Sequence, residues 1–211
     1  MRAVEKVKSS RSERARETRQ RMRAAAYDLF CEQGYVPTTL ALIAERAGVA
    51  VQTVRFTFHT KPHLLKEVIE VYSAGQAQPS PVMERGWMTQ VLEGPDAGTA
   101  LDLLVEHGTD IYVRMAPLKR AIETAASMEP EVASLWSEIA AERRNGMRRV
   151  VASLADRGVL APGLTIEKGT DLLFVLQSHE VFSGLAGSGW SIAEYKRWQA
   201  RNLKYQLLGG P

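Results

Sequence analysis

Three side chains, Val51, Gln52 and Arg55, have the chemistry needed to read the bases of DNA. The amide of Gln52 can form two hydrogen bonds with adenine, Val51 can contact a thymine methyl group, and the guanidinium of Arg55 can bind guanine or clamp a phosphate. Val54 and Phe58 are apolar and stand four residues apart. A helix would turn this apolar pair inwards and leave the three other side chains facing outwards, and it could leave Phe56 outwards as well. The sequence therefore predicts a helix that presents a DNA-reading face.

The residues before this helix predict a helix-turn-helix that would hold it. Leu40, Ile43 and Ala47 recur at helical spacing, so a first helix should begin near residue 39. Gly48 would end that helix, because glycine adopts a left-handed backbone without steric cost, and Val49 offers an apolar side chain to the turn. An ordinary helical hairpin is the alternative, but such hairpins rarely combine a small mid-helix residue, a glycine and an apolar plug. We therefore expect the motif that places its second helix in the major groove of DNA.

A further set of side chains could position this motif on the phosphate backbone. Thr38 or Thr39 can cap the first helix after Pro37, and the N-terminal end of a helix attracts anions. Lys61 begins the next helix, where a cation is disfavoured unless an anion such as a phosphate lies nearby. The alternative for Lys61 is a side chain extended into solvent. The predicted DNA contacts are Thr38, Thr39, Val51, Gln52, Thr53, Arg55, Thr57, His59 and Lys61.

Positive charge is concentrated near the N-terminus. The first 23 residues contain nine lysines and arginines against three glutamates, a surplus of six, so the rest of the chain carries −3 within the formal total of +3. We predict that residues 1–16 form a basic, flexible arm. Such an arm could bind phosphates by counterion release or reach into a neighbouring groove. The alternative is a solvated tail that makes no contact with DNA.

The pattern around the helix-turn-helix extends from residue 18 to residue 70. The residues that carry it are Ala25, Leu29, Phe30, Gly34, Tyr35, Thr38, Thr39, Ile43, Ala44, Ala47, Gly48, Val49, Thr53, Val54, Phe58, Lys61, Leu64 and Leu65. This segment resembles the DNA-binding domain of the TetR family of transcriptional regulators, which are most often repressors. The chain departs from the family at Ala50, where the family usually has serine, and at Arg55, where it usually has tyrosine.

The resemblance implies a domain organisation. An N-terminal three-helix, helix-turn-helix DNA-binding domain is expected at residues 17–61. A larger C-terminal helical ligand-binding and dimerisation domain is expected at residues 62–211. The resemblance also implies a homodimer that responds to a small molecule.

The remaining residues are helical by pattern. Helices are predicted over 62–74, 99–115, 118–127, 130–157, 166–186 and 191–208, with a loop over 76–98 that contains one turn near Met88. No strand pattern occurs in the sequence, so the fold class is all-α. The last two helices are apolar on more than one face, and those of two subunits could form a four-helix bundle. Such a homodimer predicts a palindromic operator in double-stranded DNA. The alternative is that both helices complete a monomeric core.

Side chains on three of these helices could converge on a small-molecule effector. They would supply apolar walls and a few polar groups, although residues of these types are most often ordinary core. An effector would have to favour a dimer geometry in which the recognition helices no longer match the groove spacing, because a ligand shifts states only through differential affinity. The candidates are His107, Asp110, Tyr112, Met115, Trp136, Phe174 and His179.

Recognised catalytic motifs are absent from the sequence, which has no phosphate-binding loop and no Gly-x-Ser-x-Gly element. His59 and His63 have a zinc-ligand spacing, but Pro62 should place them on different elements. We therefore expect no enzyme activity, no catalytic residue, no cofactor and no metal site.

A single cysteine, a charged N-terminus and apolar runs shorter than about 20 residues predict a cytoplasmic protein that does not enter a membrane.

Two functions remain in competition. The favoured one is a homodimeric, ligand-responsive transcriptional repressor. The other is a helical small-molecule-binding protein or enzyme that retains a vestigial helix-turn-helix.

Overall fold

A computed structural model describes residues 2–75 and 81–209, with side chains from residue 12 onwards. The described chain is all-α, as predicted, and a short 3-10 helix, Val82–Glu84, lies between α4 and α5. The helices are α1 Arg2–Gln33, α2 Leu40–Ala47, α3 Val51–Phe58, α4 Lys61–Ala74, α5 Gly86–Glu93, α6 Ala97–Ala126, α7 Pro130–Asp156, α8 Ile166–Leu176, α9 His179–Gly187 and α10 Ile192–Leu208.

Helices α1, α2 and α3 form the predicted three-helix arrangement, and buried apolar side chains from all three fill its centre. Phe30 of α1, Ile43 of α2 and both Val54 and Phe58 of α3 are fully buried. Ala44, also buried, keeps the side of α2 narrow enough for a close helix crossing. This core fixes the face that α3 turns away from the bundle.

The turn between α2 and α3 has the predicted glycine geometry. Gly48 has φ 66° and ψ 43°, in the left-handed region. Its N–H donates to the carbonyl of Glu45 at 3.1 Å, and the N–H of Val49 donates to the carbonyl of Ala44 at 3.0 Å. These two bonds form a Schellman motif, which pairs carbonyls that the end of α2 would otherwise leave free. At the other end of α2, the Thr39 side chain accepts from the N–H of Leu42 at 3.2 Å.

The described chain divides into two compact units. The first contains residues 2–72 and 117–136, and the second contains 73–75, 81–116 and 137–209. The second unit has a large apolar core that includes Leu101, Leu104, Val151, Leu173 and Leu203. These are units of packing, and the predicted functional boundary after residue 61 stays a prediction.

Helix α6 corrects the prediction of two separate helices over 99–115 and 118–127. It runs without interruption through Pro117. Proline leaves the carbonyl four residues earlier without its helical donor, which is why a break was expected. Here that carbonyl belongs to Val113, which is 39% exposed, so solvent can reach this side of the helix. Burial of Met115 and Leu118 on either side of the proline favours a continuous helix.

The predicted helix over 166–186 is likewise wrong, because it is two helices separated at Gln177 and Ser178. Ser178 caps α9 by accepting from the N–H of Val181 at 3.3 Å. The backbone carbonyl of Gln177, freed by the break, accepts from Arg143 Nη1 at 2.9 Å and from the Tyr112 hydroxyl. A buried polar group must find such partners, and side chains distant in sequence provide them here.

Two other expectations concern irregular segments. Within the predicted loop 76–98, α5 includes the expected turn at Met88, α6 already begins at Ala97, and residues 76–80 lie outside the described part. The backbone of the predicted arm is helical from Arg2, and the side chains of its first 11 residues lie outside the described part.

Among the helices described, none has the length and apolar character needed to cross a bilayer.

Candidate nucleic-acid interface

Helix α3 has one buried and one exposed face. Val54 and Phe58 are fully buried, whereas Gln52 and Arg55 are exposed, as predicted. Val51 is half-buried at the start of the helix. Ala50 occupies the N-cap position without a side-chain hydrogen bond, so the first turn of α3 lacks the capping oxygen that serine would supply. This uncapped first turn and the exposed side chains lie on the same short helix.

The predicted threonine contacts have different surroundings. Thr39 is exposed at the N-terminus of α2, with its oxygen already accepting one backbone hydrogen bond. Thr53 and Thr57 are half-buried, and the hydroxyl of Thr57 donates to the carbonyl of Thr53 at 2.8 Å. The Thr57 proton is therefore used within α3. Thr39 is the threonine best placed to meet a phosphate.

Thr38 corrects the prediction of a DNA contact. Its side chain is fully buried, and its hydroxyl lies 2.7 Å from the carbonyl of Gly34 and accepts from Gln33 Nε2 at 3.1 Å. The hydroxyl thus joins the end of α1 to the start of α2. A buried side chain engaged in this way cannot reach a phosphate.

Lys61 has partners within the protein that the sequence did not predict, and its contact with a phosphate stays a prediction. Its Nζ donates to the carbonyls of Tyr35 and Val36 at 3.1 and 3.3 Å and lies 4.0 Å from the centre of the Tyr35 ring. Burial lowers the pKa of Lys61, and the charge of Glu129 opposes that shift. The carbonyls and the ring face offset the unfavourable interaction with the N-terminal dipole of α4. The role of Lys61 visible in the structure is to tie the α1–α2 connection to α4.

An ionic cluster around the buried carboxylate of Glu67, between α1 and α4, was not predicted. Glu67 is 7% exposed and accepts hydrogen bonds from Arg19 Nε at 2.9 Å and from Arg19 Nη2. Arg23, 4% exposed, and His63 each approach Glu67 at 3.7 Å. The hydrogen bond with Glu67 raises the pKa of Arg19. The pairing of α1 with α4 has no local signal in the sequence, because Arg19 and Glu67 are 48 residues apart. Only His63 and Glu67, four residues apart on α4, have a helical spacing.

His59 ends α3 in a strained backbone conformation. Its φ is 59° and its ψ is −57°, and the N–H of Thr60 donates to the carbonyl of Phe58 at 2.6 Å, which closes a three-residue γ-turn. A side chain disfavours this conformation. The histidine itself is exposed and follows the DNA-reading face directly, as a phosphate contact would.

His59→Gly should therefore stabilise the protein, by about 1 kcal/mol, because glycine removes the side-chain strain at positive φ. The corresponding rise in Tm would be roughly 2–4 °C for a chain of this size. Thermal unfolding followed by circular dichroism measures it. Lys66→Gly, at an exposed interior position of α4, should have the opposite sign, since glycine there costs about 1 kcal/mol. An unchanged or lower Tm for His59→Gly would show that the turn is not strained.

The predicted effector residues belong to several local groups. His107 stacks on Trp87 at 4.6 Å, Asp110 pairs with Lys196 at 2.8 Å, and the ring of Phe174 lies 3.8 Å from the guanidinium of Arg143. These three side chains thus lie in three separate contacts.

Two other predicted residues do come together. The rings of Tyr112 and His179 are 5.9 Å apart and both lie about 6 Å from the ring of Phe182. Met115 is buried, and Trp136 belongs to the other compact unit. A surface groove on the second unit is lined by none of the seven predicted residues; its lining is Ala141, Arg144, Asn145, Arg148, Glu167 and Thr170. The predicted effector site stays a prediction.

Comparison with known proteins agrees with the resemblance seen in the sequence. Residues 23–68 match the model of the family described as bacterial regulatory proteins, tetR family. No curated protein matches the chain.

Solved structures share the fold over nearly the whole chain. A protein from Mesorhizobium loti described as a TetR-family transcriptional regulator aligns with a TM-score of 0.70 and 20% identity, covering 92% of this chain and 98% of the other. NalD of Pseudomonas aeruginosa, the secondary repressor of the MexAB-OprM multidrug efflux pump, gives 0.65 and 20%, with the same coverage. A protein from Saccharomonospora viridis described as a transcriptional regulator, in complex with choline, gives 0.66 and 16%, covering 91% and 98%.

Proposed function

We propose that this chain, which has the fold of TetR-family regulators and matches that family's model over residues 23–68, is a homodimeric transcriptional repressor that a small molecule releases from DNA. The observation that carries the proposal is the exposed face of α3, held outwards by the fully buried Val54 and Phe58 behind the glycine turn. That arrangement is the one by which a helix-turn-helix enters the major groove. A regulator of the cell's own genes would work in the cytoplasm.

The contacts we propose follow from exposure and chemistry. Gln52 binds adenine through its amide, Val51 meets an apolar base edge, and Arg55 binds guanine or a phosphate. Thr39, at the N-terminus of α2, and His59, beyond α3, position the protein on the backbone. Thr53 lies between these groups and contributes a hydroxyl.

Self-association is supported by apolar side chains that the second unit leaves in solvent. Val175 of α8 is 60% exposed and Tyr205 of α10 is 65% exposed, with Trp190 and Ile192 exposed before and at the start of α10. Burying such residues against a second copy would remove apolar surface from water. A two-fold dimer presents α3 twice and so favours a palindromic operator.

Effector binding is supported by the relative whose structure contains choline and by the aromatic group of Tyr112, His179 and Phe182. Release from DNA requires that the effector bind more tightly to the dimer geometry that fits the operator less well.

DNA recognition by α3 is tested with the duplex upstream of the chain's own gene. Gln52→Ala and Arg55→Ala should each weaken specific binding by about 1–3 kcal/mol if they remove a base contact. Fluorescence anisotropy at several salt concentrations gives the Kd, and a phosphate contact is recognised by a shallower salt dependence. Arg149→Ala, which removes the same charge from an exposed position of α7, is the matched control and should bind as the parent does.

Either of two outcomes would contradict the proposed role of α3 in DNA recognition. If the parent protein shows no preference for any upstream duplex over random DNA, or if Gln52→Ala and Arg55→Ala both bind as the parent does, the helix-turn-helix is vestigial. The chain would then be better described as a helical small-molecule-binding protein or enzyme.

A further inference from the structure

Phe56 is the most exposed large hydrophobic side chain among the described residues, with 84% of its surface in solvent. Exposing a phenyl ring forgoes a large favourable burial, which contact with a binding partner would recover. Phe56 lies in α3, between Arg55 and Thr57.

The position of Phe56 on the helix points it directly away from the bundle. Successive residues of an α-helix are rotated by about 100°, which places Phe56 roughly 180° from the midpoint between Val54 and Phe58. Those two residues are fully buried, so they define the inward direction. Gln52, one turn earlier, shares the outward face with Phe56. Arg55 is rotated by about 100° from Phe56 towards one edge of that face.

The chemistry of the major groove leaves few partners for this ring. A phenyl group donates and accepts no conventional hydrogen bond, whereas the exposed edges of the bases are lined with hydrogen-bonding groups. The exception is the methyl group on C5 of thymine, with which apolar side chains make contact. A wedge inserted between base pairs is a feature of minor-groove binding, which a helix-turn-helix does not use for its second helix.

We propose that Phe56 determines sequence specificity by packing on the C5-methyl group of a thymine in each half of the operator, beside the base pair that Gln52 contacts. The ring therefore selects thymine over cytosine, and it accepts any pyrimidine that carries a C5-methyl group, 5-methylcytosine included. This inference rests on the proposed function, because it requires α3 to lie in the major groove.

Deoxyuridine provides the test, since it keeps the pairing edge of thymine and removes only the methyl group. Each thymine of the operator is replaced singly, and then at both symmetry-related positions, and the Kd is measured by fluorescence anisotropy. The parent protein should lose about fourfold in affinity at one thymine of a half-site, and about 15-fold when both halves are changed, as expected for one methyl group per contact. Phe56→Ala should bind the thymine duplex more weakly and be insensitive to deoxyuridine at that position.

Two further variants complete the experiment. Phe56→Leu keeps an apolar side chain on the outward face and should retain part of the response to deoxyuridine. Met128→Ala removes another exposed hydrophobic side chain, 64% in solvent, from the turn between α6 and α7, and should respond as the parent does.

The possible failures can be told apart. If the parent binds the operator specifically but Phe56→Ala shows the parent's response to every deoxyuridine, the methyl contact is wrong and the proposed function stands. If Phe56→Ala instead changes the sedimentation coefficient of the free protein and leaves the response to deoxyuridine intact, Phe56 serves self-association and the inference is overturned. If the parent binds no duplex specifically, both the inference and the proposed function fail.

Discussion

The Phe58→Ala variant is expected to lose about 3–5 kcal/mol of the free energy of unfolding of the DNA-binding bundle, the usual cost of truncating a buried phenylalanine. Phe58 is fully buried, and its ring also lies 5.1 Å from the guanidinium of Arg19. Truncation leaves a cavity at the end of α3 and removes the surface over which Arg19 is held. A loss of this size is a large fraction of the stability of a small domain, so DNA binding should fall with it.

Phe56→Ala is the matched control for this experiment, because it makes the same chemical change two residues earlier on the same helix. Phe56 is exposed, and surface substitutions usually change stability by less than about 0.5 kcal/mol. Urea unfolding followed by circular dichroism compares the two variants. The two variants separate folding from recognition. Phe58→Ala should lose DNA binding because the bundle unfolds, whereas Phe56→Ala should weaken DNA binding at unchanged stability. Equal stabilities for the two variants would contradict the assignment of the inner face of α3.

The Glu67→Gln variant should lower the free energy of unfolding by about 3 kcal/mol. The substitution removes the negative charge that faces Arg19 and Arg23, so the buried guanidinium of Arg23 loses the charge of Glu67 that offsets its desolvation. Arg23 is 4% exposed, and burial lowers its pKa while the charge of Glu67 opposes that shift. The side chain of Arg19 is 41% exposed, so solvent screens its share of the loss and Arg23 accounts for most of it.

The measurement for Glu67 needs a control for the change in net charge. Glu45→Gln removes one negative charge from an exposed position on α2 of the same bundle and should leave the unfolding midpoint nearly unchanged. If Glu67→Gln unfolds at the same urea concentration as Glu45→Gln, the cluster is not a source of stability. In that case the Arg19 and Arg23 side chains find equivalent partners elsewhere.

The helix-turn-helix could be predicted because each of its features depends on residues close in sequence. The spacing of Val54 and Phe58 defines the inner face of α3 within one turn of helix, and Gly48 is a local requirement for left-handed backbone. The outward direction of Gln52 and Arg55 follows from the same periodicity. Fold class is predictable for the same reason, since a helical period repeated along most of the chain leaves no place for strands.

Contacts between distant residues were beyond prediction. Lys61 donates to carbonyls 25 and 26 residues away, which the sequence around it does not reveal. The hydroxyl of Thr38 meets the carbonyl of Gly34 only four residues earlier, but its full burial depends on how the end of α1 packs against α2. The break at Gln177 depends on donors from other helices.

Taken by itself, the sequence determined that the chain is helical, where the DNA-reading helix lies and which of its faces is apolar, since hydrogen bonds within a helix and the period of its side chains are local properties. Only the tertiary structure decided which polar side chains remain free to act. A hydroxyl, an ammonium group or a carboxylate can face solvent or be satisfied inside the protein, and the choice depends on groups that the fold brings within 3–4 Å. The burial of Glu67 is a result of that packing.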